Sequence, residues 1–240
     1  MTTTTISVPA WELRRALGAV LPHVSRTDSL PQFRGVHMQV RYGVLYLAAM
    51  DRYTLAATRI TIPGAGTVPL PDAPALLPRP AAKGLRRFLR GADGLARLTA
   101  EGTRLSVSAA DGSGATWDIG AQDGSFPDWR ALLHGMLTAG QAPLGDRYGA
   151  DPAMLGRFAG RKDAADGESL NIRVTLGAHR TGAASPVVLL TRGGWFTGAL
   201  MPVMRNDDGE AETAGAWADW TAITAPAALP EPELAAVAGA

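Results

Sequence analysis

Residues 79–91 carry the side chains best suited to chemistry, and that chemistry is the binding of anions. Pro80 suits the first turn of a helix, and Gly91 suits the left-handed residue beyond its end. One face of this helix is apolar, and the opposite face carries cations at positions i, i+3, i+4 and i+7: Lys83, Arg86, Arg87 and Arg90. Like charges at this spacing destabilise a helix by about 0.2–0.5 kcal/mol per pair. A polyanion bound to this face would explain why four cations lie together on it. The alternative is a basic surface that is simply solvated.

Two further predicted helices carry cations, so the pattern recurs along the chain. Residues 9–22 place Arg14 and Arg15 away from an apolar face. A third helix begins at Pro152 after the N-cap residue Asp151, and it carries the i, i+4 pair Arg157 and Arg161. If the three helices pack alike, their cations line one surface. The alternative is that an Arg-rich composition yields basic helices by itself.

Each predicted helix is followed by strands, which indicates a repeated unit and an α+β fold with one helix on an antiparallel sheet. The predicted strands are 36–40, 44–50, 54–62, 95–100, 103–109, 115–119, 170–176, 186–191 and 195–201, with a short one near 67–70. We predict that residues 120–150 are an irregular connection. Residues 206–240 read as a flexible acidic tail, in which Trp217 and Trp220 either form a docking motif or fold back.

The charge is unevenly distributed along the 240 residues. Seven of the 22 acids follow Arg205, where there is no Lys or Arg, so residues 1–205 carry 23 bases and 15 acids. There is no cysteine, which excludes disulfides and thiolate chemistry. We expect an intracellular protein without a signal peptide or membrane association, because no apolar run approaches the length that spans a bilayer.

The motifs of common enzymes are missing from the sequence. The four histidines have no metal-ligand spacing, and no phosphate-binding glycine loop or nucleophile elbow occurs. We therefore expect no enzymatic activity, no cofactor and no metal. A hydrolase with an unrecognised carboxylate site is the remaining enzymatic alternative.

Several short motifs, in order, resemble the bacterial sliding clamp, the beta subunit of DNA polymerase III. Leu30-Pro31 and the strand at 44–50 with its following Asp51 resemble the first half of a clamp domain. Residues 78–91 resemble the start of the second half, and Phe126-Pro127-Asp128-Trp129 resembles the element that closes a domain. Residues 195–205, ending Met-Pro-Val-Met-Arg, resemble the last clamp strand.

The resemblance implies a clamp-like domain at 1–120 with two half-domain units, a connection at 121–150, a partial clamp-like domain at 151–205, and the acidic tail at 206–240. It implies a processivity factor or scaffold that binds duplex DNA through phosphates, without sequence readout. By position, the DNA-binding residues would be Arg14, Arg15, Arg26, Lys83, Arg86, Arg87, Arg90, Arg157 and Arg161. The peptide-binding residues, for motifs of a DNA polymerase or other replication proteins, would be Ala199, Met201, Pro202 and Val203.

The chain also departs from the family, because three units are found where a clamp subunit has six. A closed ring would then need a homo-oligomer, and the short form would suit a phage- or plasmid-borne protein. The alternative is a non-encircling adaptor or decoy with the clamp fold that binds replication proteins. Either function implies a cytoplasmic, nucleoid-associated protein.

Overall fold

The computed structural model describes residues 3–27, 30–64, 75–121, 126–141, 148–159, 168–178 and 184–204. Its helices are α1 (Ala10–Val20), α2 (Arg79–Phe88), α3 (Trp129–Thr138) and α4 (Pro152–Leu155), with 3-10 turns at Leu21–His23 and Pro31–Phe33. Its strands are β1 (Thr3–Pro9), β2 (Gly35–Arg41), β3 (Val44–Met50), β4 (Thr54–Thr61), β5 (Ala75–Pro78), β6 (Leu95–Glu101), β7 (Arg104–Ser108), β8 (Gly114–Asp118), β9 (Gly120–Ala121), β10 (Tyr148–Gly149), β11 (Asn171–Ala178), β12 (Ala184–Arg192), β13 (Phe196–Leu200) and β14 (Val203–Met204).

A four-stranded antiparallel sheet of order β1-β6-β7-β8 packs one face against the helices α1 and α2. Its residues alternate between the core and solvent, as the period of two along a strand requires. On β7, Leu105 and Val107 are buried, whereas Arg104 and Ser106 are exposed. The sheet therefore presents its polar face to solvent and its apolar face to the helices.

An eight-stranded antiparallel sheet of order β11-β12-β13-β4-β3-β2-β5-β9 also packs against the buried faces of α1 and α2. Strand β13 pairs with β4, and Leu200 lies opposite Thr54 in the register. Strands β11, β12 and β13 thus extend the sheet that β2, β3 and β4 form near the start of the chain. This arrangement confirms the α+β class, with helices packed on antiparallel sheets.

The main core lies between the two sheets and is filled from α1 and α2. Leu13 and Leu17 of α1 are fully buried, as are Leu85 and Leu89 at the end of α2. Burying a leucine side chain stabilises the fold by about 1.5–3 kcal/mol. Because the apolar stripes are fixed against the sheets, the opposite faces of both helices are held toward solvent.

Helix α3 corrects the prediction that residues 120–150 are irregular. The Asp128 side chain caps it by accepting hydrogen bonds from the N–H groups of Arg130 and Ala131. Trp129 and Leu133 are buried in a second apolar cluster on the opposite face of the eight-stranded sheet, with Leu55, Ala57, Val187, Leu189 and Ala199. The sheet is therefore covered on both faces, by α1 and α2 on one and by α3 on the other.

The third predicted helix is much shorter than expected. Asp151 caps α4 as predicted, but the helix has only four residues and is followed by Gly156. Arg157 lies in the turn beyond it and not in the helix as predicted; Arg161 lies outside the described residues. The predicted strand near 67–70 and the tail 206–240 also lie outside them, and the strand β5 was not predicted.

Candidate nucleic-acid interface

The outward face of α2 and the turn that follows it present three well-exposed cations: Lys83, Arg87 and Arg90. The opposite face holds the buried Ala82, Leu85 and Leu89, so the predicted two-faced helix is confirmed. Gly91 has a φ of 86°, the left-handed conformation expected beyond the helix end. None of the three cations forms an ion pair with any other residue that the structure describes. Their charges are therefore available to an external anion.

Arg86 lies closer to the protein than its three neighbours do. Its guanidinium lies over Gly18 of α1, where an added Cβ would be 3.1 Å from Arg86 Nε and 3.2 Å from its terminal nitrogen. Arg86 is half-buried, and its Nε is shielded from solvent. The small residue at position 18 therefore leaves room for the arginine, whose guanidinium packs on α1 beside Gly18.

Arg79 is a further cation of this helix, and it was not among the DNA-binding residues predicted from the sequence. The structure begins α2 at Arg79, so Arg79, Lys83 and Arg86 follow at i, i+4 and i+7 along one stripe of the helix. The spacing was visible in the sequence, but the predicted helix started one residue later. Arg79 is half-buried, and its Nε lies out of reach of solvent.

The predicted arginines of α1 are both half-buried, and one of them is held between aromatic rings. The guanidinium carbon of Arg15 lies 4.8 Å from the ring centre of Trp11 and 4.1 Å from that of Trp195. Arg14 lies on the adjacent part of the helix surface. Arg26 is exposed in the loop that follows the 3-10 turn after α1. Arg14, Arg15 and Arg26 therefore keep at least part of their surface open.

Arg157 occupies a different environment from the other predicted arginines. Its Nη1 lies 2.5 Å from Oδ2 of Asp51 and 3.2 Å from the Thr54 hydroxyl. Burial raises the pKa of the Asp51 carboxyl, but hydrogen bonds from Arg157 and from the backbone N–H groups of Tyr53 and Thr54 outweigh it and hold the pKa below its usual value. The charge of Arg157 is thus compensated within the chain.

The four predicted peptide-binding residues differ in how exposed they are to solvent. Ala199 is buried in the cluster with Trp129 and Leu133, underneath α3. Met201 and Val203 are 40% and 51% exposed, and Pro202 is half-buried. The N–H of Met201 donates to the carbonyl of the exposed Tyr53 at 2.8 Å. A peptide could therefore reach the end of this strand, but Ala199 is closed off by α3.

The described part of the chain offers no assembled metal site: no group of three or more His, Asp or Glu side chains is placed to hold an ion. Among the same residues, none of the helices is long and apolar enough to cross a membrane.

The comparisons with known proteins agree on the fold. No family model matches the chain. A sliding clamp, the DNA polymerase III beta subunit, from Pseudomonas aeruginosa bound to griselimycin superposes with a TM-score of 0.55 at 16% identity, over 84% of this chain and 65% of that chain. The beta subunit from Thermotoga maritima gives a TM-score of 0.55 at 13% identity, over 85% of this chain and 66% of that chain. The clamp from Bartonella birtlesii bound to griselimycin gives 0.51 at 16%, over 83% and 66%.

These likenesses show that the chain has the sliding-clamp fold, which confirms the resemblance read from its sequence motifs. The chain spans 65–66% of the length of these clamps. It therefore has the clamp fold over part of a clamp's length, at 13–16% identity.

Proposed function

We propose that this protein is a clamp-like DNA-binding replication factor, acting as a processivity factor or scaffold. The observation that carries the proposal is the exposed cationic stripe of Lys83, Arg87 and Arg90, on a helix anchored in the core of a clamp fold, where none of the three is paired with another described residue. Arg14, Arg15, Arg26, Arg79 and Arg86 extend this basic face. Arg157 is left out of it, because its charge is compensated by Asp51.

The composition of the stripe supports contact with phosphates. Lys and Arg neutralise phosphates, and α2 contains no Asn or Gln that could read an adenine. Binding of this kind is independent of DNA sequence and weakens steeply with salt, with a slope of about −0.9 in log K per phosphate contact. The proposed partner is therefore duplex DNA of any sequence.

A pair of charge reversals tests the proposal. The variant Arg87→Glu/Arg90→Glu changes the exposed stripe, and the matched control Arg97→Glu/Arg104→Glu makes the same charge change on the solvent face of the four-stranded sheet. We expect the first variant to lose duplex affinity at least about tenfold and to flatten the salt slope by about 2, whereas the control stays within a few-fold of wild type. Fluorescence anisotropy with two unrelated duplexes measures both quantities.

Equal losses in the two variants would mean that only net charge matters and would contradict an interface on α2. Unchanged binding in both would remove duplex DNA as the partner. Both pairs lie on exposed surface, so we expect their unfolding midpoints to stay near that of wild type. Thermal unfolding of each variant checks this.

A second candidate function is a non-encircling adaptor that binds replication proteins. The exposure of Met201 and Val203, 40% and 51%, favours it, because these side chains offer apolar surface to a protein partner whether or not a ring forms. Molar mass in solution, measured by light scattering at low and high salt, separates the two functions. A stable symmetric oligomer supports a ring that encircles DNA, and a strict monomer at all concentrations supports the adaptor.

A further inference from the structure

One large aromatic side chain of α1 is exposed beside the arginines of that helix. Trp11, in the first turn of α1, is 50% exposed. Arg14 and Arg15 follow it at i+3 and i+4, so both flank it on the helix surface. Neither the sequence resemblance nor duplex binding through phosphates gives this indole a function.

Trp11 shares its stripe of α1 with Gly18, seven residues further along. Arg86 of α2 lies over Gly18, so the stripe that ends in Trp11 adjoins the cations of α2. Seven residues correspond to about 10 Å along a helix, which is the length of a few nucleotides. A strand of nucleic acid lying across Arg86 would therefore reach the indole ring.

The indole belongs to a row in which aromatic and cationic groups alternate: Trp11, Arg15 and Trp195. Arg15 lies between the two rings, at 4.8 Å and 4.1 Å from their centres. Trp195 is fixed at the far end, because its Nε1 donates a hydrogen bond of 2.6 Å to Glu168 Oε2. The row is thus anchored at Trp195 and open to solvent at Trp11.

We propose that Trp11 is a stacking site for an unpaired base, so that the basic face binds single-stranded DNA in addition to duplex. This inference rests on the proposed DNA-binding function of the same face. Proteins that bind single strands combine a cationic surface for the backbone with aromatic rings on which bases stack. Bases within a duplex are already stacked on each other, so the indole adds affinity only where a strand is unpaired.

The variants Trp11→Ala and Trp11→Phe test the stacking site, and Tyr42→Ala is the matched control. Tyr42 is also an exposed aromatic, 87% accessible, with the guanidinium carbon of Arg41 5.0 Å from its ring centre, but it lies in the turn between β2 and β3. We expect Trp11→Ala to weaken binding of an oligothymidylate by about 5- to 100-fold and duplex binding by less than about twofold. Trp11→Phe restores most of the loss, and Tyr42→Ala changes neither affinity.

Photocrosslinking gives a second readout on the wild-type chain. An oligothymidylate carrying one 5-iodouracil should crosslink at Trp11 and not at Tyr42, as mapped by mass spectrometry of the digested adduct. A Trp11→Ala variant that keeps its single-strand affinity, or that loses both affinities equally, overturns the stacking site. So does a crosslink that maps away from α1.

The two proposals fail in different ways. If Arg87→Glu/Arg90→Glu leaves duplex binding intact, the cationic interface is wrong whatever Trp11 does. If that variant loses binding but Trp11→Ala does not discriminate single strand from duplex, the interface stands and the stacking site is wrong.

Discussion

Arg157 and Asp51, 106 residues apart in the chain, form an ion pair with an Nη1–Oδ2 distance of 2.5 Å. Asp51 lies at the turn between β3 and β4, where its Oδ1 also accepts hydrogen bonds from the N–H groups of Tyr53 and Thr54. The pair therefore joins the segment after α4 to the sheet of the first unit. Asp51 keeps its charge in this setting, since its pKa is held below the usual value.

We predict that Arg157→Gln lowers the free energy of unfolding by about 1–3 kcal/mol, because the half-buried Asp51 loses a charged hydrogen-bond partner. Urea unfolding at neutral pH measures this loss. Duplex affinity should stay within about twofold of wild type, unlike that of Arg87→Glu/Arg90→Glu. Arg104→Gln, at an exposed position of β7, is the control and should change stability by no more than about 0.5 kcal/mol. If the Arg157→Gln variant is as stable as wild type but binds DNA poorly, Arg157 contacts DNA and belongs to the interface.

His23 is predicted to make the stability depend on pH. Its ring is fully buried, 4.4 Å from the ring of Phe158. Burial lowers the pKa of His23 from 6.5 to about 3, aided by the charge of Arg157, while the charge of Asp51 and the backbone of Arg157 oppose the shift. His23 is therefore neutral in the folded protein at neutral pH.

Because the pKa of His23 is lowered on folding, the protein loses stability as the pH falls. The stability that neutral His23 contributes is fully present above pH 6.5, the unfolded value, and is lost as pH falls toward the folded value of about 3. Between about pH 7.5 and 5 the loss is about 2 kcal/mol. Asp51 does not interfere in this window, because its own contribution is lost only below its unfolded pKa of 3.8.

Urea unfolding at several pH values measures the loss, and His23→Leu should remove most of it. His134→Leu, at an exposed position of α3, should leave it unchanged. If the pH dependence survives in His23→Leu, another group is responsible.

The parts of the fold that local sequence determines were predicted well. Strand β3 has the predicted bounds, and β2, β4 and α1 differ by only one or two residues at either end, because alternation, helical periodicity and flanking prolines act over short distances. The pairing of β13 with β4 was not predicted, since it joins residues more than 130 positions apart and leaves no local pattern. The ion pair of Arg157 escaped prediction for the same reason.

Helix α3 was missed although its signal was present. Trp129, Leu133 and Met136 recur at i, i+4 and i+7, and Asp128 precedes them as a cap. The glycines and prolines of residues 120–150 indicated a loop and outweighed this pattern. In the candidate site, the α2 stripe was predicted from spacing alone, whereas the row from Trp11 to Trp195 depends on tertiary contacts.

The packing of α3 predicts different effects for two adjacent leucines. Leu133 is 3% exposed against the sheet, and Leu132 is 42% exposed. We predict that Leu133→Ala lowers the free energy of unfolding by about 2–5 kcal/mol, and Leu132→Ala by less than about 1 kcal/mol. Urea unfolding of both variants measures the difference. Similar small effects would mean that residues 129–138 do not pack on the sheet.

Two helical glycines should respond to alanine with opposite signs. A Cβ on Gly84 of α2 would lie 2.7 Å from Trp117 Nε1, whereas a Cβ on Gly135 of α3 meets nothing within 4 Å. Trp117 cannot move away freely, because its ring packs edge-on against Phe88 with 5.8 Å between ring centres. Alanine gains about 1 kcal/mol over glycine in a helix, but the overlap at Gly84 costs about 1–3 kcal/mol.

We therefore predict that Gly135→Ala raises the free energy of unfolding by up to about 1 kcal/mol and that Gly84→Ala lowers it by about 1 kcal/mol. Thermal or urea unfolding measures both. In Gly84→Ala the tryptophan near-ultraviolet circular dichroism should also change, because the Trp117 ring is displaced from α2. A gain of stability in both variants would mean that Trp117 does not contact the helix that carries the cationic stripe.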